Sequence, residues 1–500
     1  MTLQREPWAE RARAPARPRH RARRARATPL RDPLLLAFMS AVLPGSGHLY
    51  AGRRKLGLFL LSLVAALLVT AAVVVLFVSH HRIVALSVRP DWLLGTMAAA
   101  AVGALLMVGI VLSAYRAGLP MRLPGARRFV TRALVGLLCL AVVSPALVVM
   151  SYAQTQRSLI GDVFADKEEA PGLLSGIFGR EPPPDPWAGH DRLNVLLLGG
   201  DGKPTRDGVR TDSITVASID TDTGRTVLLS LPRNLQQAPF PSGSPAAEQN
   251  PYGFSEFFFG IYRYGVENPE LFPGVSDPGA AAMSAAVGET LGLTVHYYVL
   301  VNIAGFRDLV DALGGLKLRV EERLPIGGIA PDGSPAPVHA YVEPGLRTLD
   351  GYEALWYARS RAYSSDYDRM GRQRCVLGAL ARQADPLTVL RNFRGLASAT
   401  KRMVSTNIPQ SRLPDFVGLA GEVKGARISS VQFVPPMIDP ADPDVRAIHE
   451  RVDKALHAAG RTGGSAEAGD GAAAQAPDGD HKAQNRRSGP STVEQVCTYE

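Results

Sequence analysis

Three stretches of this 500-residue chain are long and apolar enough to cross a bilayer: Leu56–Val78, Trp92–Tyr115 and Val130–Tyr152. A spanning helix needs about 20 such residues, and only helices or closed barrels satisfy all backbone polar groups in hydrocarbon. Residues 33–152 are therefore expected to form an all-α transmembrane anchor. None of the three stretches holds Asp, Glu or Lys inside, and their single arginine, Arg132, stands near an end. Pumps and transporters usually keep an ionisable group within their spans, so these read as an anchor.

Leu34–Tyr50 is also apolar but shorter, and Pro44, Gly45 and Gly47 interrupt it. It reads as an interfacial or re-entrant piece. Its Pro-Gly-Ser-Gly-His-Leu-Tyr-Ala-Gly-Arg run is similar to the opening of small bacterial helical-hairpin membrane domains. The formal net charge of +9 is concentrated ahead of it, in Arg11, Arg13, Arg17, Arg19, Arg21, Arg23, Arg24 and Arg26. So polar a run buries no core, and residues 1–32 read as a disordered basic arm. Such an arm can bind nucleic acid. Standing directly before membrane spans, it reads instead as a cytoplasmic topology signal that also meets anionic lipid, with no nucleic-acid partner.

Arg53, Arg54 and Lys55, and the loop with Arg116, Arg122, Arg127 and Arg128, belong on the same cytoplasmic side. Three crossings then place everything after Tyr152 outside the cell membrane. Residues 153–191, with Pro182, Pro183, Pro184 and Pro186, read as a linker. Residues 192–456 read as an extracellular catalytic domain, and 457–500 as a mostly disordered, low-complexity tail.

In the soluble part strands and helices alternate. Leu193–Leu198 is a continuous apolar run, as in a strand buried on both faces. Ser213–Ile219 and Thr226–Leu231 flank the turn signal Asp-Thr-Asp-Thr-Gly and read as a hairpin. Pro278–Leu291 reads as a helix, Val295–Val301 as a strand, Ile303–Leu313 as a helix stopped by Gly314 and Gly315, and Leu316–Val320 as a strand. Helical patterns dominate Asp350–Val423, and a strand follows near Ile428–Val434. The expected fold class is α/β, a mixed central sheet flanked by helices.

Two acids stand at strand ends, Asp201 after the first strand and Asp212 before the second. Ligands bind at such ends, and two carboxylates there would hold Mg²⁺, which prefers oxygen ligands and bridges to phosphates. Each acid can equally cap a turn. Arg233 closes the third strand, Arg359 and Arg361 end a helical pattern, and Arg369 and Gln373 are i and i+4 on one helix face. Arginines aimed at one pocket suit a multi-oxygen anion; a solvated charged face is the other reading. Asp366 and Asp368 are the few acids beside them. No Gly-x-Ser-x-Gly elbow and no His-Glu-x-x-His occurs, and His190, His296 and His339 are scattered singles.

At these residues the chain resembles the LytR-CpsA-Psr family of cell-wall glycopolymer ligases. The resemblance runs over about Asn194–Leu377, in four ordered blocks. They are Asn-Val-Leu-Leu-Leu-Gly-Gly-Asp with Arg210-Thr-Asp-Ser; Leu-Leu-Ser-Leu-Pro-Arg233; Val295 through Gly315; and Leu349 through Gln373. It implies an α/β domain whose apolar groove holds a polyprenyl chain. The implied reaction is Mg²⁺-assisted transfer of a glycosyl-phosphate polymer from undecaprenyl pyrophosphate to a peptidoglycan hydroxyl. Matching positions make Asp201 and Asp212 magnesium ligands, and Arg233, Arg359, Arg361, Arg369 and Gln373 pyrophosphate contacts. Arg233, Asp201 and Asp212 are the implied catalytic residues. Two departures stand out: Asn234 where the family carries Asp, and Phe257–Phe259 where a Lys-x-Asn is common. The Ala-, Arg- and Gly-rich composition is similar to that of actinobacterial chains.

A polyprenyl-pyrophosphate hydrolase using the same site with water, and a non-catalytic lipid-binding regulatory membrane protein, are the rival readings. Of the three cysteines, Cys139 lies within the third span, which leaves Cys375 and Cys497 in the exported part. An oxidising compartment favours a bridge between them, with Ser491–Val496 as a candidate edge strand. Two free thiols are the alternative.

Overall fold

The computed structural model describes residues 32–77, 88–119, 125–164, 187, 189–200, 210–329, 334–362, 364–384, 404–460, 491–493 and 497. The expected basic arm, most of the linker and residues 461–490 of the expected tail lie outside these residues. Two compact units emerge, residues 1–67 with 105–143 and residues 68–104 with 144–500.

The first part of the chain is helical: α1 (Pro33–Val42), α2 (Ser46–Tyr50), α3 (Arg54–Phe77), α4 (Pro90–Gly118) and α5 (Gly125–Val163). Among the described residues, Asp91–Gly118 and Arg128–Ser158 are long and apolar enough to cross a membrane. The 24-residue α3 coincides with the first expected span. In the Leu34–Tyr50 segment, α1 and α2 meet at a glycine turn. Gly45 has φ 98°, and a Cβ on Gly47 would lie 2.2 Å from the Leu36 carbonyl oxygen. Only glycine lets the backbone approach so closely. Helix α5 passes Tyr152, where the third span was expected to end, because Ala153–Ser158 holds no helix breaker. Its 39 residues would extend about 58 Å at 1.5 Å per residue.

The second unit is built on a mixed seven-stranded sheet. Its early strands are β1 (Arg192–Gly200), β2 (Thr211–Asp220) and β3 (Thr226–Leu231). After the helices α6 (Pro245–Gln249), α7 (Ile261–Glu267) and α8 (Pro278–Leu291) come β4 (Tyr297–Asn302) and α9 (Ile303–Ala312). Then follow β5 (Leu316–Val320), β6 (Leu324–Ile329), β7 (Pro335–Val342), β8 (Gly345–Leu349), α10 (Gly351–Arg359) and α11 (Asp366–Gln383). The last elements are β9 (Val404–Thr406), α12 (Leu413–Gly425), β10 (Ile428–Gln432), α13 (Val445–Gly460) and β11 (Ser491–Thr492). The sheet order is β11-β10-β3-β2-β1-β4-β9, while β5 pairs with β8 and β6 with β7 in two separate ribbons. β1 pairs antiparallel with β2 and parallel with β4, and β3 pairs parallel with β10.

Local signals explain the ends. Asp277 caps α8 by accepting from the Ala280 N–H, Pro278 sits at its first turn, and Gly292 closes it in the left-handed region at φ 67°. β3 is buried throughout because it lies between β2 and β10. Three expectations are corrected. Asp212 lies inside β2 rather than before it, and β4 starts at Tyr297. The short β9 interrupts the helical stretch expected over Asp350–Val423. Helix α13 runs to Gly460, and Ser491–Thr492 pairs at the β10 edge of the sheet, within the expected edge strand Ser491–Val496. Cys375 of α11 and Cys497 form a disulfide with Cα atoms 5.4 Å apart.

Side chains alternate across the sheet. Leu196, Leu198, Val216 and Leu229 pack on one face against Tyr262, Met283, Ile448 and Val452 of α7, α8 and α13. Ala217, Leu228 and Ile428 face the other way, toward Leu316, Leu349, Ala354 and Val376 of the ribbon, α10 and α11.

Candidate active site

On that second face a cavity of about 880 Å³ separates the sheet from α9, α10 and α11. Its wall is apolar along Leu197, Val299, Val301, Phe306, Leu355 and Trp356. At its mouth stand Arg210, Asp212, Arg233, Arg359, Arg361, Arg369 and Gln373. Helix α11 displays the gradient in one stripe: Arg369, Gln373, Val376, Leu377 and Leu380 all line the cavity. They lie three and four residues apart on one face, so the stripe runs from charge to hydrocarbon over roughly 16 Å.

A bulge aims Asp212. Gly199 pairs with Ser213 but Gly200 with Thr211, which leaves Asp212 as the extra residue between them. Bulges re-aim a side chain and recur beside active sites. The Asp212 carboxylate forms an ion pair with Arg233 Nη1, and its backbone carbonyl accepts from Arg369 Nη1 at 2.9 Å. Asp201 lies outside the described residues. Among the described residues no group of three or more His, Cys, Asp or Glu side chains is disposed to hold a metal. Among the described residues, Asp212 lines the cavity and Asp366 the smaller depression beside it.

The cluster turns on a residue with no assigned role in the sequence, Asp366. Ser365 and Asp368 form a capping box at the start of α11, which fixes Asp366 in the first turn. Arg369 donates to it from Nε at 3.2 Å and from Nη2 at 2.8 Å. Arg233 Nε lies 3.4 Å and Arg361 Nη1 3.8 Å from the same carboxylate. Burial by itself would raise the Asp366 carboxyl; the Arg369 hydrogen bond and the charges of Arg369, Arg233 and Arg361 outweigh it and hold it below its ordinary value. Arg361 is lowered by burial first and then by Arg233. Like charges thus crowd the mouth, and a bound anion would relieve them.

Not every arginine of the Arg369–Arg374 run joins the clamp. Arg372 is buried and donates to the Tyr357 carbonyl at 2.9 Å and to Ser364 Oγ at 3.3 Å, tying the end of α10 to α11. Arg374 donates to Ser430 Oγ at 3.2 Å. Gln373 donates to the Ala358 carbonyl at 3.3 Å. The histidines are less scattered than expected. His190 and His296 meet ring to ring at 4.6 Å, and His296 Nδ1 accepts from the Asn194 N–H at 3.0 Å, a structural role away from the cavity. A second, smaller depression of about 360 Å³ is lined by Arg233, Asn234, Ile329, Arg361, Ser364 and Asp366.

The model of the LytR_cpsA_psr family matches residues 180–439, just over half of the chain. The chain belongs to the LytR-CpsA-Psr family. That span contains every residue of the cavity mouth. Among relatives, the polyisoprenyl-teichoic acid–peptidoglycan teichoic acid transferase TagU of Oceanobacillus iheyensis is 28% identical over 227 residues, 45% of this chain and 61% of that protein. The biofilm regulatory protein A of Streptococcus mutans is 27% identical over 243 residues, 47% of this chain and 55% of that protein. The chain thus spans less than two thirds of the length of these relatives. Neither relative supports an actinobacterial source. Among solved structures, TagT bound to LIIa-WTA is 25% identical with a TM-score of 0.39, covering 56% of this chain and 95% of that one. The YwtF (TagT) protein with bound octaprenyl pyrophosphate lipid is 24% identical with a TM-score of 0.37, covering 56% and 94%.

Proposed function

We propose that this chain is a membrane-anchored transferase that moves a glycosyl-phosphate polymer from undecaprenyl pyrophosphate to a hydroxyl of peptidoglycan. The observation that carries the reading is the two-part cavity, hydrocarbon along its wall and arginine at its mouth. A molecule with a long apolar tail and a polyanionic head matches both parts, and few ligand classes do. The name of the O. iheyensis relative, a polyisoprenyl-linked polymer transferase acting on peptidoglycan, points the same way. Helices α3, α4 and α5 would be the three anchor spans. The arginine excess around their expected cytoplasmic ends would put the catalytic domain outside.

In this reading the polyprenyl chain lies along Leu197, Val301, Phe306 and Trp356, and Arg233, Arg359, Arg361, Arg369 and Gln373 hold the pyrophosphate. The acceptor hydroxyl attacks the sugar-proximal phosphorus. A new P–O bond forms, the bridging P–O bond breaks, and undecaprenyl phosphate leaves with the bridging oxygen. The arginines stabilise negative charge spreading onto the phosphoryl oxygens and the leaving group, the main task of a protein in phosphoryl transfer. Asp366, held as a carboxylate by three arginines, acts as their counter-charge rather than as a proton acceptor. Asp212 and Asp201 would hold Mg²⁺, which would add charge neutralisation at the phosphates.

Incubating the full-length protein with a polyprenyl-pyrophosphoryl glycan and uncrosslinked peptidoglycan tests the reading. Phosphodiester-linked polymer on the peptidoglycan is the expected product. Release of free glycan phosphate alone would establish the hydrolase, and lipid binding without turnover the regulatory protein.

A further inference from the structure

The Phe257–Phe259 segment contacts two residues of the cavity mouth, Arg210 and Arg233. The Phe259 N–H donates to the Arg233 carbonyl at 3.1 Å, and the Phe258 N–H to the Leu235 carbonyl at 2.8 Å, which stitches the segment to the clamp. Phe258 is fully buried among the residues packed on α7 and α8. Its burial leaves the neighbouring rings, Phe257 and Phe259, outside that core, with centroids 5.7 Å apart and planes tilted by 32°. The Arg210 guanidinium lies over the Phe259 ring, 4.7 Å from its centroid. Arg210 also lines the cavity, so a continuous series of contacts runs from the anion clamp to Phe257, which is 43% exposed.

An exposed aromatic ring beside a polar clamp offers a face on which a partner can stack. The structure supplies the chemistry of that partner. An aromatic face is negatively polarised, and the C–H bonds on one face of a hexopyranose form a weakly positive apolar surface, while its hydroxyls stay in water. A sugar joined to the phosphate held by Arg233 would begin within reach of Arg210 and the two rings. We propose that Phe257 and Phe259, braced by Arg210, form a stacking platform for the donor's first saccharide ring. This assignment rests on the proposed function.

The test uses the full-length protein in nanodiscs and two probes, undecaprenyl pyrophosphate without a sugar and the same lipid carrying one hexosamine. Wild type is expected to bind the sugar-bearing lipid roughly three- to tenfold more tightly, as a single aromatic stacking contact supplies. Phe257→Leu, which keeps apolar bulk but removes the aromatic face, should erase that preference and leave the sugar-free lipid unaffected. Phe257→Trp should preserve it. An unchanged preference in Phe257→Leu, equal losses for both lipids, or an effect confined to the acceptor's KM would each overturn the platform. Wild type binding both lipids equally would overturn the platform alone, whereas binding neither would overturn the proposed function and the platform with it.

Discussion

The two faces of the central sheet are made by the same strands and end differently. On one face Leu196, Leu198, Val216 and Leu229 meet α7, α8 and α13, and the space is filled by Phe258, Met283, Ile448 and their neighbours. On the other, Leu197, Val299 and Val301 look across a cavity at Phe306, Trp356 and Leu377. Protein interiors are close-packed as a rule, so a long apolar gap inside a folded domain needs an occupant. The contrast teaches that neighbouring residues of one strand serve opposite ends: Leu196 is buried in the packed core, and Leu197 beside it lines the cavity.

The largest expected effect would confirm the packed face as the structural one. Phe258 is fully buried, and Phe258→Ala should lower stability by about 3–5 kcal/mol, measured by denaturant unfolding of the full chain. A loss below about 1 kcal/mol would show that this face tolerates voids as the other does.

At the mouth of the open face, Arg361→Lys keeps charge but removes the planar fork. It should lower kcat/KM by about ten- to hundredfold with little change in stability, because an ammonium cannot make two parallel bonds to phosphate. Full activity in both Arg359→Lys and Arg361→Lys would mean that charge alone suffices.

Leu377 packs against the α10–α11 side of the core and lines the cavity, so Leu377→Trp adds bulk into the gap. It should weaken binding of long polyprenyl chains by about tenfold while stability changes by less than about 1.5 kcal/mol. Inorganic pyrophosphate should bind as before, since the clamp is untouched. Equal losses for lipid and pyrophosphate would show that the two parts of the cavity are not separable.

The smallest effect lies at Asp366. Its carboxyl is lowered in the folded chain despite burial, by Arg369, Arg233 and Arg361. A depressed folded-state value means that its stabilisation is present above the ordinary carboxylate range, near pH 4, and is lost as pH falls through the folded value. Asp366→Asn should therefore be less stable than wild type at pH 7, with the gap narrowing toward pH 3. A gap that stays constant over this interval would remove the carboxylate's charge as the cause.

Much of this contrast is legible in the sequence. Thr226–Leu231, Pro278–Leu291 and Leu316–Val320 have the ends that the sequence predicts, because turn residues, a proline and alternation act locally. The clamp arginines Arg233, Arg361 and Arg369 were also read, and they converge on one carboxylate. What stayed hidden depends on distant partners. The bulge that places Asp212 needs both strands, and Asp366 acquires its role when Arg233 and Arg361, from other segments, join Arg369 of its own helix around it. The ribbon of β6 and β7 lies in Gly- and Pro-rich sequence with no clear strand alternation, and β9 is too short to register against helical surroundings. The wall of the cavity was legible as apolar residues, but nothing local distinguishes Leu197, which faces a gap, from Leu196, which faces a core.

Mass spectrometry of lipid that co-purifies with the full-length protein tests the central claim most directly. The two-part cavity should carry a polyprenyl phosphate or pyrophosphate, with or without attached sugar, and Leu377→Trp should carry markedly less of it. Recovery of only bulk membrane phospholipid, in equal amounts from wild type and Leu377→Trp, would contradict the account.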